Sequence, residues 1–274
     1  MKIAYLGTGA AEGIPAIFCS CPYCSGVRLR GGKEIRSRSQ ILIDGELSVE
    51  FPPDAFYHAA AGARLNEIKY VLVTHSHMDH FYAHDFILHG YKYAYGAGRL
   101  DIYGNAEVLK VFEECTRREL RADVGQTVAL HEVKAFEPVF FGKWRVTPLP
   151  ARHSSESPLT YCLEKDGKRI LHLTDTGYPP EENFEFLQKA GGKPFDLITF
   201  DCTFLFGTGS DRHMTIEENE KIRTRLTRLG LADGNTRCVI THFSHNAEPT
   251  AEKLRRAERE YGVIAAYDGM TLEL

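Results

Sequence analysis

The sequence predicts an α/β fold of layered sheets with helices on the outside, on three observations. Short apolar runs come first as hairpins and later alternate with helical patterns. No proline- or glycine-rich linker divides the chain. Several apolar runs end directly in polar residues, the arrangement in which layered α and β folds build sites on loops.

In chain order, strands are read at Lys2 to Gly7, Gln40 to Asp44, Leu47 to Phe51, Tyr70 to Thr74, Leu100 to Tyr103, Val128 to Phe136 and Trp144 to Leu149. Leu159 to Glu164 and Arg169 to Thr174 flank a Lys-Asp-Gly-Lys turn, a hairpin signal. Phe195 to Asp201, Arg237 to Thr241 and Val263 to Tyr267 complete the strands. Helical spacing covers Asn105 to Arg121, Glu181 to Ala190, Ile216 to Leu229 and Thr250 to Tyr261, and Thr215 with Glu218 reads as a capping box.

The 274 residues are 43% hydrophobic and 26% charged, enough for a substantial core, and one domain over residues 1–274 is expected. A net charge of −4 argues against a broad basic face tracking nucleic acid. The start lacks the apolar core and cleavage site of a signal peptide, and no run is long and apolar enough to span a bilayer. Seven cysteines, four of them scattered singly at Cys115, Cys162, Cys202 and Cys238, fit a reduced cytoplasmic protein with plain core thiols.

The strongest signal is KYVLVTHSHMDHF, a buried-type strand running into His75, His77, Asp79 and His80. Residues two apart after a strand point the same way, so His75 and His77 can offer imidazole nitrogens to one cation. Asp79 and His80, as the chain turns, can serve a second. Packing explains four such residues poorly, because each buried imidazole would need its own partner. Later strand ends add His153, Asp175 and His242. The expected assignment is His75, His77 and His153 to one ion, Asp79, His80 and His242 to the other, and Asp175 bridging. Two divalent ions so held activate water for hydrolysis. His58, His84, His89, His131 and His172 stay unassigned.

A second cluster, Cys19-Ser-Cys-Pro-Tyr-Cys24, suggests a disulfide, a redox or nucleophilic site, or a metal anchor, and spacing alone does not choose.

With these motifs in place the chain resembles the metallo-β-lactamase superfamily, whose signature is His-x-His-x-Asp-His, a distant His, a bridging Asp and a last His. The resemblance implies a four-layer αββα sandwich with a dinuclear site at the sheet edge. Within it, GTGAAEGIPAIFCSCPYC, THFSH and YDGMTLEL resemble the PhnP-type phosphodiesterases of phosphonate breakdown. That likeness implies hydrolysis of 5-phosphoribosyl 1,2-cyclic phosphate to ribose 1,5-bisphosphate by two active-site ions, manganese or zinc. It also implies a structural zinc on Cys19, Cys21, Cys24 and His245. One departure is Glu50, in LSVEFPPDAF, where the superfamily usually places an Asp that supports the metal loop; Asp54 follows nearby.

Catalysis is expected from Asp79 and from His213, a general acid at the usual imidazole pKa of about 6.5. Arg152 and Arg212 are candidates for a second phosphate of the substrate. The expected partner is a small phosphorylated sugar or nucleotide, with a homodimer as a candidate assembly, no membrane, and nucleic acid disfavoured. Two alternatives stand: a cyclic nucleotide or RNA phosphodiesterase, and a non-catalytic carrier like the pyrroloquinoline quinone biosynthesis protein.

Overall fold

The computed structural model describes residues 1–90 and 92–274. The strands are β1 (Lys2–Gly7), β2 (Gln40–Ile43), β3 (Leu47–Val49), β4 (Tyr70–Leu72), β5 (Leu100–Gly104), β6 (Val128–Glu132), β7 (Val139–Phe141), β8 (Trp144–Pro150), β9 (Leu159–Lys165), β10 (Lys168–Leu173), β11 (Leu197–Asp201), β12 (Arg237–Thr241), β13 (Ile264–Ala265) and β14 (Met270–Glu273). They form two seven-stranded sheets, ordered β14-β1-β2-β3-β4-β5-β6 and β7-β8-β9-β10-β11-β12-β13. Read in those orders, each sheet has three antiparallel pairings and then three parallel ones.

The helices are α1 (Pro22–Arg30), α2 (Ala55–Ala60), α3 (Ala106–Thr116), α4 (Ala122–Thr127), α5 (Glu181–Ala190), α6 (Ile216–Arg228) and α7 (Ala251–Tyr261). Three apolar clusters separate the layers. Tyr5, Ile43 and Val49 of the first sheet meet Tyr161, Ile170 and Val239 of the second in the middle cluster. Val71 and Ile102 pack beneath Val108 and Phe112 of α3 on one outer side, while Leu171 and Ile198 pack against Leu187 of α5 and Ile222 of α6 on the other. The alternation of faces along each strand drives this, since one side of each sheet meets the other sheet and its opposite side meets helices. The result is the expected αββα sandwich.

Local chemistry sets the boundaries. The β9–β10 hairpin turns on Asp166 and Gly167, both at positive φ, as an Asp-Gly turn requires. The Thr215–Glu218 capping box is formed, and Asn105 and Thr250 cap α3 and α7 through their side chains. The strand read to Phe51 stops at Val49 because Glu50 sits at φ 69°, outside the extended region. Helix α3 ends at Thr116, five residues short of the sequence reading. Strands β7 and β14 and helices α1, α2 and α4 are additional to the elements the sequence pattern predicts. Among the described residues, no helix is long and apolar enough to cross a membrane.

Candidate metal centre

The ends of β4, β8, β10 and β12 meet at one edge of the sandwich and deliver the histidines and aspartates read from the sequence. Donor atoms of His75, His77, His153 and Asp175 lie within 4.8 Å of one another, as do those of Asp79, His80, Asp175 and His242. Asp175 belongs to both groups. In the first, His77 Nδ1 lies 3.0 Å from His75 Nε2 and 3.1 Å from His153 Nε2. In the second, His80 Nε2 lies 3.1 Å from Asp79 Oδ2 and 3.0 Å from Asp175 Oδ2. Tetrahedral donors about 2.0 Å from a central ion sit roughly 3.3 Å apart, so these spacings suit a cation.

Buried polar atoms point the same way. His80 Nε2, His242 Nε2 and Asp175 Oδ1 are buried and face other site histidines and carboxylates, His213 Nδ1 at 3.0 Å from Asp175 Oδ1 among them, without well-formed hydrogen bonds. Desolvating such atoms is costly unless a cation or a proton takes up their lone pairs. Burial alone would raise the Asp175 carboxyl, but His242, His213, His75 and His80 hold it well below the usual carboxylate range. Burial lowers His153 to about 4, leaving the ring neutral with one nitrogen free to donate a lone pair.

Two support systems hold the rings. The Thr74 hydroxyl donates to Glu50 Oε1 at 2.6 Å, so His75 Nδ1–H, 2.9 Å away, donates to that same hydroxyl and Nε2 keeps its lone pair. Asp201 and Thr203 repeat the device. The Thr203 hydroxyl donates to Asp201 Oδ2 at 2.9 Å and faces His242 Nδ1 at 2.9 Å. Glu50, Asp175 and His242 all have positive φ, at 69°, 53° and 62°. Such non-glycine conformations cost on the order of 1–3 kcal/mol each and cluster at functional sites.

His213 stands beside the second group. Its Nδ1 is 3.0 Å from Asp175 Oδ1 and 3.6 Å from Asp201 Oδ2. Burial disfavours its protonated form, yet these two carboxylates outweigh that and hold it up at about 10. The two carboxylates favour the imidazolium, the form a general acid needs. The loop that carries it packs tightly on Gly177, where any Cβ would collide with the Asp211 carbonyl. Asp201, Asp175, His213 and His242 also form a compact donor group. The backbone N–H groups of Thr203 and Met214 already occupy Asp201 Oδ1, at 3.0 and 2.8 Å, which marks Asp201 as a support.

These groups line a cleft of about 330 Å³ with Glu12, Ser154, Phe204, Ser244 and Asn246. A wider cavity of about 450 Å³, between the start of α3 and residues 150–159, contains none of the donor histidines. Chemistry therefore places the site in the smaller space. Arg152 and Arg212, expected beside the substrate, are the exposed sequence neighbours of His153 and His213 and are not among the cleft-lining residues. Asp54 pairs with Arg38 at 3.2 Å, away from the donors. Asp201, Thr203 and Glu12 were not assigned from the sequence; only the strand end at Asp201 gave a signal.

The cysteine cluster is also compact. Cys19, Cys21, Cys24 and His245 offer ligand atoms within 4.8 Å of one another, and His245 Nδ1 lies 3.4 Å from Cys24 Sγ. Cys21 caps α1, accepting from the Cys24 N–H at 3.4 Å. That bond, with His245, brings the Cys21 thiol down to about 6. All seven cysteines are free.

Fold and donor set together define a metallo-β-lactamase-type chain, for which the fold implies divalent metal binding. The chain belongs to the family described as the beta-lactamase superfamily domain, matched over residues 39–243. It is 25% identical to an octanoyltransferase of Porphyromonas gingivalis, over 98% of this chain and 51% of that protein, so it spans about half the length of this relative. It is 24% identical to coenzyme PQQ synthesis protein B of a Methylobacterium species, over the full length of both. Among solved structures, a crystal structure titled a new diphosphatase from the PhnP family aligns with 100% of this chain and 98% of its own, with a TM-score of 0.75 and 22% identity. Family and site together support a metal-dependent hydrolase.

Proposed function

We propose that this chain is a dinuclear metal-dependent phosphodiesterase acting on a small cyclic phosphodiester. The observation that carries the reading is the pairing of two four-donor groups through Asp175, with His213 Nδ1 3.0 Å from Asp175 Oδ1 on the cleft side. A hydrolase of this kind needs an electrophilic centre for the phosphoryl group and a proton donor for the leaving oxygen. Both are within one small cleft, of a size suited to a metabolite.

His75, His77, His153 and Asp175 would hold one divalent ion, and Asp79, His80, Asp175 and His242 the other. Bound there, the ions supply Lewis acidity that activates a water and neutralises charge on the phosphoryl oxygens. Glu50 and Thr74 keep His75 in the tautomer that presents Nε2, and Asp201 and Thr203 do the same for His242. The new bond joins water oxygen to phosphorus, the ester P–O bond breaks, and His213 passes its proton to the departing oxygen. Cys19, Cys21, Cys24 and His245 would hold a structural zinc that fastens the first loop to the segment following His242.

The likeness to PhnP-type enzymes makes 5-phosphoribosyl 1,2-cyclic phosphate the first substrate to test. Purified protein loaded with manganese or zinc should cleave bis(p-nitrophenyl) phosphate. A panel of ribosyl cyclic phosphates, cyclic nucleotides and short RNA then ranks substrates. Folded protein with two bound ions and no turnover of any phosphodiester would overturn the proposal in favour of a carrier.

A further inference from the structure

Beyond the ion-holding groups and His213, the cleft carries no cationic side chain. Among its described lining residues there is no lysine or arginine, and the ionisable group that is neither a donor nor His213 is Glu12. Nearby cations are engaged elsewhere. Arg38 donates through Nε to the Ala11 carbonyl and pairs through Nη1 with Asp54, while buried Arg36 donates to Thr8 Oγ1 and the Ala266 carbonyl.

Glu12 is fixed in place. Its Oε1 accepts from the Ser244 hydroxyl at 2.6 Å and from the His245 N–H at 3.1 Å, and these bonds leave Oε2 free of them on a side chain 31% exposed. A pinned carboxylate oxygen accepts well from vicinal hydroxyls and repels a phosphate. Phe204 also lines the cleft, edge-on to His213 with ring centroids 5.8 Å apart, and gives it an apolar surface of the kind a sugar ring packs on. Ser154 and Asn246 add neutral polar groups.

We infer that Glu12 is a specificity-determining residue that selects a cyclic phosphodiester of an unphosphorylated, hydroxyl-bearing sugar and rejects one bearing a second phosphate. The inference rests on the phosphodiesterase reading and, within its class of small cyclic phosphodiesters, favours the unphosphorylated sugar over the 5-phosphorylated ester suggested by the PhnP likeness.

The test compares two substrates that differ by a single group, ribose 1,2-cyclic phosphate and its 5-phosphorylated form, on wild type and Glu12→Gln. Wild type should favour the unphosphorylated sugar in kcat/KM by roughly 10- to 100-fold, the scale of a like-charge clash. Glu12→Gln should lose most of that preference. Calorimetric binding of the products, ribose 1-phosphate and ribose 1,5-bisphosphate, to metal-loaded protein should show the same order and the same loss. Zinc content and thermal midpoint check that the variant is intact, and Glu12→Asp, which keeps the charge and should keep the preference, serves if Glu12→Gln does not fold. A wild-type preference for the phosphorylated sugar, above all one that falls with Arg152→Ala or Arg212→Ala, overturns the inference. So does an unchanged ratio in Glu12→Gln. If no phosphodiester is turned over, the underlying reading has failed, and product binding still decides the selectivity.

Discussion

Glu50 Oε1 lies 3.3 Å from Nδ1 of His80 and accepts the Thr74 hydroxyl that orients His75, so one buried carboxylate supports a histidine in each donor group. The superfamily usually places an Asp here. Glu50 sits at φ 69°, and its carboxylate approaches the His80 ring directly and the His75 ring through the Thr74 hydroxyl.

Glu50→Gln should therefore weaken metal affinity by roughly 10- to 100-fold, as loss of a carboxylate behind a ligating histidine commonly does. Chelator competition measures it, and excess metal should restore activity. Unchanged affinity would remove Glu50 from the support of the site.

His213→Ala should lower kcat on an alkyl phosphodiester by on the order of 10²- to 10⁴-fold, the usual contribution of a general acid. Its effect on bis(p-nitrophenyl) phosphate should be much smaller, because p-nitrophenolate leaves without a proton. Equal losses on both substrates would point to a role other than proton donation.

Gly177→Ala should displace the loop bearing His213, since the new methyl would meet the Asp211 carbonyl. The expected pattern is reduced kcat on alkyl esters with metal content intact. Loss of both ions would show that the strain reaches Asp175 instead.

Cys21→Ser should lose about one zinc per chain and some thermal stability while keeping the other two ions, because structural zinc binding contributes directly to folding. Elemental analysis beside a melting curve decides it. Full metal content in the variant would dismiss the zinc anchor.

Buried His58 lies 2.7 Å from Ser37 Oγ and 2.6 Å from Gln40 Oε1, and burial lowers it from 6.5 to about 4. Between those values the unfolded chain binds more protons than the folded one. Stability from this residue is thus complete above pH 6.5 and falls as the pH drops toward 4, by up to about 3 kcal/mol. Denaturant midpoints at pH 7 and 4.5 should differ less in His58→Gln than in wild type.

The donors were legible in sequence because metal chemistry restricts residue types and a strand's period restricts their spacing. His75, His77, Asp79 and His80 follow β4 directly, and His153, Asp175 and His242 follow other strands the same way. Glu12 and Thr203 carry no such local mark, and Asp201 only that of a polar strand end. Their roles come from contacts across long sequence separations, such as Ser244 with Glu12 and His242 with Thr203. Arg152 and Arg212 show the limit of adjacency: they neighbour His153 and His213 in sequence, yet their side chains are exposed and outside the cleft lining. Strands β7 and β14, of three and four residues, are too short to show a period, and α1 lay hidden behind its cysteines.

Each four-donor group takes two side chains from the loop after β4 in the first sheet and two from strand ends of the second. An ion in either place would be a rivet through both sheets, so its binding energy would act on their docking as well as on chemistry. Every tenfold excess of free metal over its dissociation constant then adds about 1.4 kcal/mol against separation. Stripping the ions should open the seam to proteases before the outer helices unravel, making metal supply a control on the lifetime of the protein as well as on its rate.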